Sequence, residues 1–200
     1  MARLERRLLG PWKPTRDQLA AGYGKKVPDV IAPNLKVLFC GINPGLYSAA
    51  VKHHFARPGN RFWPTLHAAG FTERLLPPFE ERHLLELGYG VTNLAERATA
   101  SADELSDEEL IAGACRLEKK VRRYRPAIVA FLGITAYRIA FDRPQAVLGW
   151  QQEKIADAGI WILPNPSGLN AHFQLPDLAR LFAELRLQAE DQNAIDKSRK

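Results

Sequence analysis

The 200-residue chain has only two cysteines, Cys40 and Cys115, and no CxxC pair. Two thiols so far apart cannot build a disulfide framework, a zinc ribbon or a four-thiolate iron–sulfur cluster. Both read as small buried hydrophobes. No apolar run approaches the roughly 18–20 residues of a membrane span, so no membrane partner is expected. The first ten residues are basic and lack the apolar stretch and small-residue cleavage site of a secretory signal. A soluble, cytoplasmic protein is expected. No GxxxxGK[ST] phosphate loop and no GxGxxG fingerprint occur, which counts against a nucleotide-metabolising enzyme. His53, His54, His67, His83 and His172 show neither HxxxH nor HExxH spacing, so neither a metal nor another cofactor is expected.

What is present suits a folded body. Hydrophobic residues make up 46% of the chain, enough for a sizeable core and too many for disorder, and the length fits one domain. The net charge of +6 is concentrated at the ends. Through Lys26 there are seven Lys/Arg against Glu5 and Asp17, and Lys197, Arg199 and Lys200 end the chain. Positive ends on a near-neutral body suit a polyanion-binding protein, and equally suit solvated termini.

Residues 1–33 read as a basic lead-in broken by Pro and Gly, 34–190 as a single domain, and 191–200 as a charged tail. Short apolar runs at 35–42, 90–94, 127–132 and 160–163 predict buried strands. Helical patterns fall at 62–69, 107–124, 135–141 and 176–189. Asn60 and Gly70 are expected to bound the first, and Ser106 with Glu109 forms a capping box at the second. Strands alternating with helices predict a three-layer α/β/α sandwich around a mostly parallel sheet of four to five strands. Ligands of such folds sit beyond the carboxyl ends of the strands.

Two of those ends carry Asn-Pro turns: Gly41-Ile42-Asn43-Pro44-Gly45, and Pro164-Asn165-Pro166-Ser167-Gly168-Leu169-Asn170. Each puts a carboxamide, able to donate and accept, on a stiff turn. With Phe55-Ala56-Arg57-Pro58-Gly59-Asn60-Arg61-Phe62-Trp63 and Gly90-Val91-Thr92-Asn93-Leu94, they make the chain resemble the mismatch-specific uracil-DNA glycosylases. That branch of the uracil-DNA glycosylase superfamily includes thymine-DNA glycosylase, and the resemblance runs from about residue 35 to the final helix.

The resemblance implies roles. Asn43 would position the hydrolytic water, and Phe55 would stack on the extruded base. Ile42, Gly45, Ser48 and Asn93 would line the base pocket, with Ser48 pointing to uracil over thymine. Leu169 would be the wedge that enters DNA, with Ser167, Gly168 and Asn170 around it facing the opposite strand. Arg57 and Arg61 are candidate phosphate contacts, and His54 a loop residue near DNA. Ala171 stands where the uracil-preferring pattern often has Arg, two residues after the wedge. Phe62, Trp63 and Leu66 read as packing, and Glu96 and Asp103 are the acids nearest the second strand's loop. The implied activity is excision of uracil, and of related bases such as ethenocytosine, from G:U mispairs in double-stranded DNA by a monomeric, monofunctional glycosylase. The alternative is a mismatch-binding DNA module without activity.

Overall fold

Every residue of four short strands is buried: β1 (Val37–Gly41), β2 (Tyr89–Asn93), β3 (Ile128–Leu132) and β5 (Ala158–Leu163). These are the four apolar runs of the sequence, and burial of both faces explains why they are continuous rather than alternating. The computed structural model describes residues 13–198. With β4 (Gly149–Ile155) the strands form one sheet in the order β2-β1-β3-β5-β4. The first four are parallel, and β4 runs antiparallel to β5 at the edge.

The pleat divides each strand between two cores. Val37 and Phe39, Ile128, Ala130 and Leu132, and Trp161 and Leu163 face one side. There they meet α3 (Phe62–Ala68) and α7 (Leu175–Ser198) through Phe62, Leu66, Leu178 and Phe182. Leu38 and Cys40, Val129 and Phe131, and Ile160 and Ile162 face the other. α5 (Asp107–Tyr124) and α6 (Ile134–Ala140) cover that side with Leu110, Leu117, Val121 and Tyr137. The result is the expected three-layer sandwich. α5 begins at the predicted box, with Ser106 Oγ accepting from Glu109 N and Glu109 Oε2 accepting in turn from Ser106 N.

Several expectations need correction. β4 escaped notice because its residues, Gly149 to Ile155, are mostly polar and exposed, with only Gln151 and Ile155 buried. A polar edge strand with a bulge resists pairing with other chains, and so it lacks the apolar signature. The lead-in is structured from residue 13. α1 (Arg16–Ala20) is capped by Thr15, Val27 packs on Ala49 and Ala98, and Val30 bridges to Val91. α7 continues past residue 189 through most of the charged tail. Cys115 is exposed, whereas Cys40 is buried. The N-cap of α3 is Arg61 rather than Asn60, although Asn60 Oδ1 accepts from Phe62 N at 2.9 Å. The cations Arg3, Arg6, Arg7, Arg199 and Lys200, and the side chain of Lys197, lie outside the described residues.

Candidate active site

The carboxyl ends of β1 and β2 lie side by side, with Gly41 opposite Asn93. Pairing continues beyond the strands: Leu94 N donates to Gly41 O, Ala95 N to Ile42 O, and Thr99 N to Pro44 O, at 2.9, 2.8 and 3.2 Å. The two loops are therefore one rigid unit, with Asn43 inside it. Asn43 Nδ2 donates to Arg97 O at 3.1 Å and to Thr99 Oγ1 at 2.6 Å. Thr99 spends its own proton on Ser101 O at 2.6 Å, so toward Asn43 it can only accept. A backbone carbonyl can only accept as well. Both amide hydrogens of Asn43 are thereby committed, and Oδ1 is left as an oriented acceptor without a protein donor among the described residues. Arg97 is itself anchored by Glu109, whose carboxyl the guanidinium holds down to about 2.

A second cluster borders it. A Cβ on Gly41 would stand 2.6 Å from Asn93 Oδ1 and 3.2 Å from Phe55 Cζ, so only glycine leaves space between that amide and that ring. Phe55 has φ of +53°, a conformation costly for a bulky residue and usually held only where its surroundings enforce it. The enforcement is visible. Buried Glu81 accepts from His54 N at 2.7 Å and lies 2.9 Å from His53 Nδ1, and Ser48 Oγ accepts from Ala56 N at 3.1 Å. Phe62 backs the Phe55 ring at 4.1 Å between centroids. Ile42 is half-buried with the end of its side chain beside Gly133, and Gly45 is exposed at the N-cap of α2 (Leu46–Val51).

The third element is the loop after β5. Asn165 Oδ1 accepts from Ser167 N at 2.9 Å, and Asn170 Nδ2 donates to Asn165 O at 3.0 Å, folding the segment on itself. At its tip Leu169 is 75% exposed, an apolar side chain held out toward solvent. The loop leans on the segment before α3. A Cβ on Gly168 would stand 2.5 Å from Gly59 O, and Arg61 N donates to Pro166 O at 2.9 Å.

A family model for the uracil DNA glycosylase superfamily matches residues 28–186. The chain belongs to that superfamily. Its members hydrolyse N-glycosyl bonds. The solution NMR structure of a Methanosarcina acetivorans protein, itself only provisionally assigned as a uracil DNA glycosylase, is similar in fold. The TM-score is 0.54 at 18% identity, over 82% of this chain and 98% of the other.

Within this superfamily member, two residues, Arg61 and His54, occupy settings different from those the motifs suggested. Arg61 is not free for phosphate. Its Nη1 donates to Phe173 O at 2.6 Å and its Nη2 to Asn170 O at 2.7 Å and to Ser167 O. The guanidinium is a staple across the loop that carries Leu169. Arg57 is exposed and carries no such bonds. His54 is buried rather than facing outward, with Nε2 against Pro28 O and Nδ1 against Asn93. Glu96 is paired with Lys26 and lies 3.7 Å from Lys120. The Lys26 hydrogen bond, above all, holds its carboxyl below the usual range. Exposed Asp103 accepts from Ser101 Oγ at 3.1 Å. Glu96 is thus held as a carboxylate by its lysine partners and Asp103 lies in solvent, so neither has the buried setting of a group poised to take a proton. Phe62, Trp63 and Leu66 are core residues, as their spacing predicts.

Thr99 and Glu81 were not legible beforehand. Thr99 meets Asn43 across 56 residues, and Glu81 meets His54 across 27. Only the pairing of β1 with β2 brings Thr99 within reach, and no local pattern marks it. Among the described residues, no group of three or more His, Cys, Asp or Glu side chains converges as a metal site.

Proposed function

We propose that this protein is a mismatch-specific, monofunctional uracil-DNA glycosylase acting on G:U mispairs in double-stranded DNA. The observation that carries the reading is the fixed amide of Asn43, whose two hydrogens are committed to Arg97 O and Thr99 Oγ1, which leaves Oδ1 as its acceptor. An amide is not a base at neutral pH, so Asn43 would orient a water through Oδ1 rather than deprotonate it. The N-glycosidic bond then breaks ahead of attack. Its electrons leave with the base, and the oriented water adds to the resulting sugar cation and loses its proton to solvent. Catalysis rests on placement and on donors that stabilise the departing anionic base.

The remaining residues fit one base extruded from a duplex. Phe55, backed by Phe62, offers a flat face for stacking, and the gap at Gly41 lies beside Asn93. Burying an exposed leucine returns on the order of 2 kcal/mol. Leu169 in the emptied stack would thus offset part of the few kcal/mol that flipping costs, which is least for a mismatched base. Weak chemistry with a modest wedge favours uracil opposite guanine. Ethenocytosine is a second candidate substrate, and a monomer in the cytoplasm is the expected form. Neither Asn-Pro loop contains a lysine for Schiff-base chemistry, which favours hydrolysis without lyase activity.

The test is a duplex with a single U opposite G, incubated with the protein and then treated with alkali. Strand scission only after alkali is expected. Asn43→Ala should lower single-turnover excision by about 10²–10³-fold while DNA binding persists. Binding without scission by the unaltered protein would instead favour the inactive mismatch-binding module, and an unimpaired Asn43→Ala variant would remove Asn43 from the mechanism.

A further inference from the structure

His54 is buried at 2% exposure, and the chemistry of its neighbours fixes its protonation. Its Nε2 lies 3.0 Å from Pro28 O, which can only accept, so the proton sits on Nε2. A neutral ring protonated there has a lone pair on Nδ1. Asn93 Nδ2 lies 3.3 Å from that atom and therefore donates to it. Two identical geometries with the Asn93 amide reversed would place a carbonyl against a lone pair, and the Pro28 carbonyl rules that out. Asn93 Oδ1 is consequently turned the other way, toward the space that Gly41 leaves open beside Phe55.

We infer that His54 is a positioning residue that, through its tautomer, locks the Asn93 amide so that Oδ1 faces the Gly41–Phe55 space and accepts from a nucleobase edge bearing an N–H donor. The nucleobase half of this inference rests on the glycosylase reading above; the tautomer half does not. The lead-in takes part, because the carbonyl that selects the tautomer belongs to Pro28. This buried link is also why residues ahead of β1 pack onto the site rather than trail from it.

The lock has a defined release. A doubly protonated ring donates from both nitrogens, so Asn93 must then turn its carbonyl to His54 and present its amino group to the pocket. The ionisable groups around the ring are Glu81 from the turn before α4 (His83–Glu86), Asp29 from the lead-in, and His53 beside it. Burial dominates and disfavours the charged ring. Glu81 and Asp29 oppose that effect, His53 adds to it, and the balance leaves the imidazole below its ordinary value. The neutral lock therefore holds at neutral pH and opens only on acidification.

Two experiments test this on the full chain. In ¹⁵N-histidine NMR without DNA, His54 should be the neutral Nε2–H tautomer near neutral pH; an Nδ1–H tautomer or an imidazolium there overturns the lock. That result is independent of any activity. For the pocket half, single-turnover excision of uracil is measured for His54→Gln, Asn93→Ala and the double variant. Glutamine keeps a donor toward Pro28 but offers nothing at the Nδ1 position. His54→Gln should lose about tenfold, the equivalent of one hydrogen bond, yet less than about twofold more when Asn93 is already alanine. Equal losses in both backgrounds would reduce His54 to a structural residue and overturn the assignment. An unaltered protein inactive on uracil would sink the glycosylase reading and the nucleobase half together, whereas the tautomer result would stand.

Discussion

Replacing Arg61 by lysine should damage excision from duplex DNA far more than it damages the fold. The guanidinium spans three carbonyls of the loop that carries Leu169, those of Ser167, Asn170 and Phe173. A lysine retains the charge but not the planar fork, so it can satisfy about one of the three. A hydrogen bond from a charged donor contributes roughly 1.5–3 kcal/mol net, and the low end applies here because these carbonyls belong to half-buried residues that water can reach. Two lost bonds then cost about 3 kcal/mol. The loss falls on the ordered state of one loop rather than on the sheet. If Leu169 must be in place before a base is extruded, a 3 kcal/mol pre-equilibrium slows duplex excision about 100-fold. Uracil in a single strand needs no wedge, so its excision should change by only a few-fold. Single-turnover rates on G:U duplex and on single-stranded U DNA, with thermal melting as the fold control, read this directly. Equal losses on the two substrates, or none on the duplex, would refute the staple. If Arg61→Ala instead lowered the salt slope of binding by about one without changing the duplex preference, Arg61 would be a phosphate contact after all.

Other consequences follow from the same network. Thr99→Val removes the acceptor that fixes Asn43 Nδ2, and should slow single-turnover excision about tenfold with DNA affinity unchanged; a wild-type rate would show that Arg97 O alone suffices. Glu109 is lowered from 4.5 to about 2, mainly by its Arg97 hydrogen bond. A depressed carboxyl stabilises the fold above its unfolded value and loses that contribution as pH falls through the folded one. The stability gap between wild type and Glu109→Gln, measured by denaturant melts, should therefore be full near neutrality and close between about 4.5 and about 2. A gap that persists at the acid end would assign the effect to something other than the Arg97 pair.

Wherever a local rule was sufficient, the sequence alone determined the outcome. Continuous apolar runs gave β1, β2, β3 and β5, because a strand buried on both faces has no polar side to interrupt it. Ser106 and Glu109 located the start of α5, because a capping box needs only three residues of separation. Alternation of these elements implied the layered sheet, and the Asn-Pro turns at two strand ends marked the loops that carry Asn43 and Leu169. β4 stayed hidden because a solvent-facing edge strand is polar by necessity, and its only pairing is with β5.

At the site, residue types were legible but their orientations were not. Asn43 stood out as a carboxamide on a stiff turn, yet which of its atoms faces outward is decided by Thr99 and Arg97, across the β1–β2 pairing. Arg61 looked like a cation for phosphate until the loop after β5 folded over it and engaged both of its terminal nitrogens. His54 read as a loop residue near DNA, whereas Pro28, Glu81 and Asn93 close around it. In each case the deciding partner lies tens of residues away, and hydrogen-bond direction depends on geometry that composition and spacing do not encode. Tertiary structure alone settled which donors were spent and which acceptors remained.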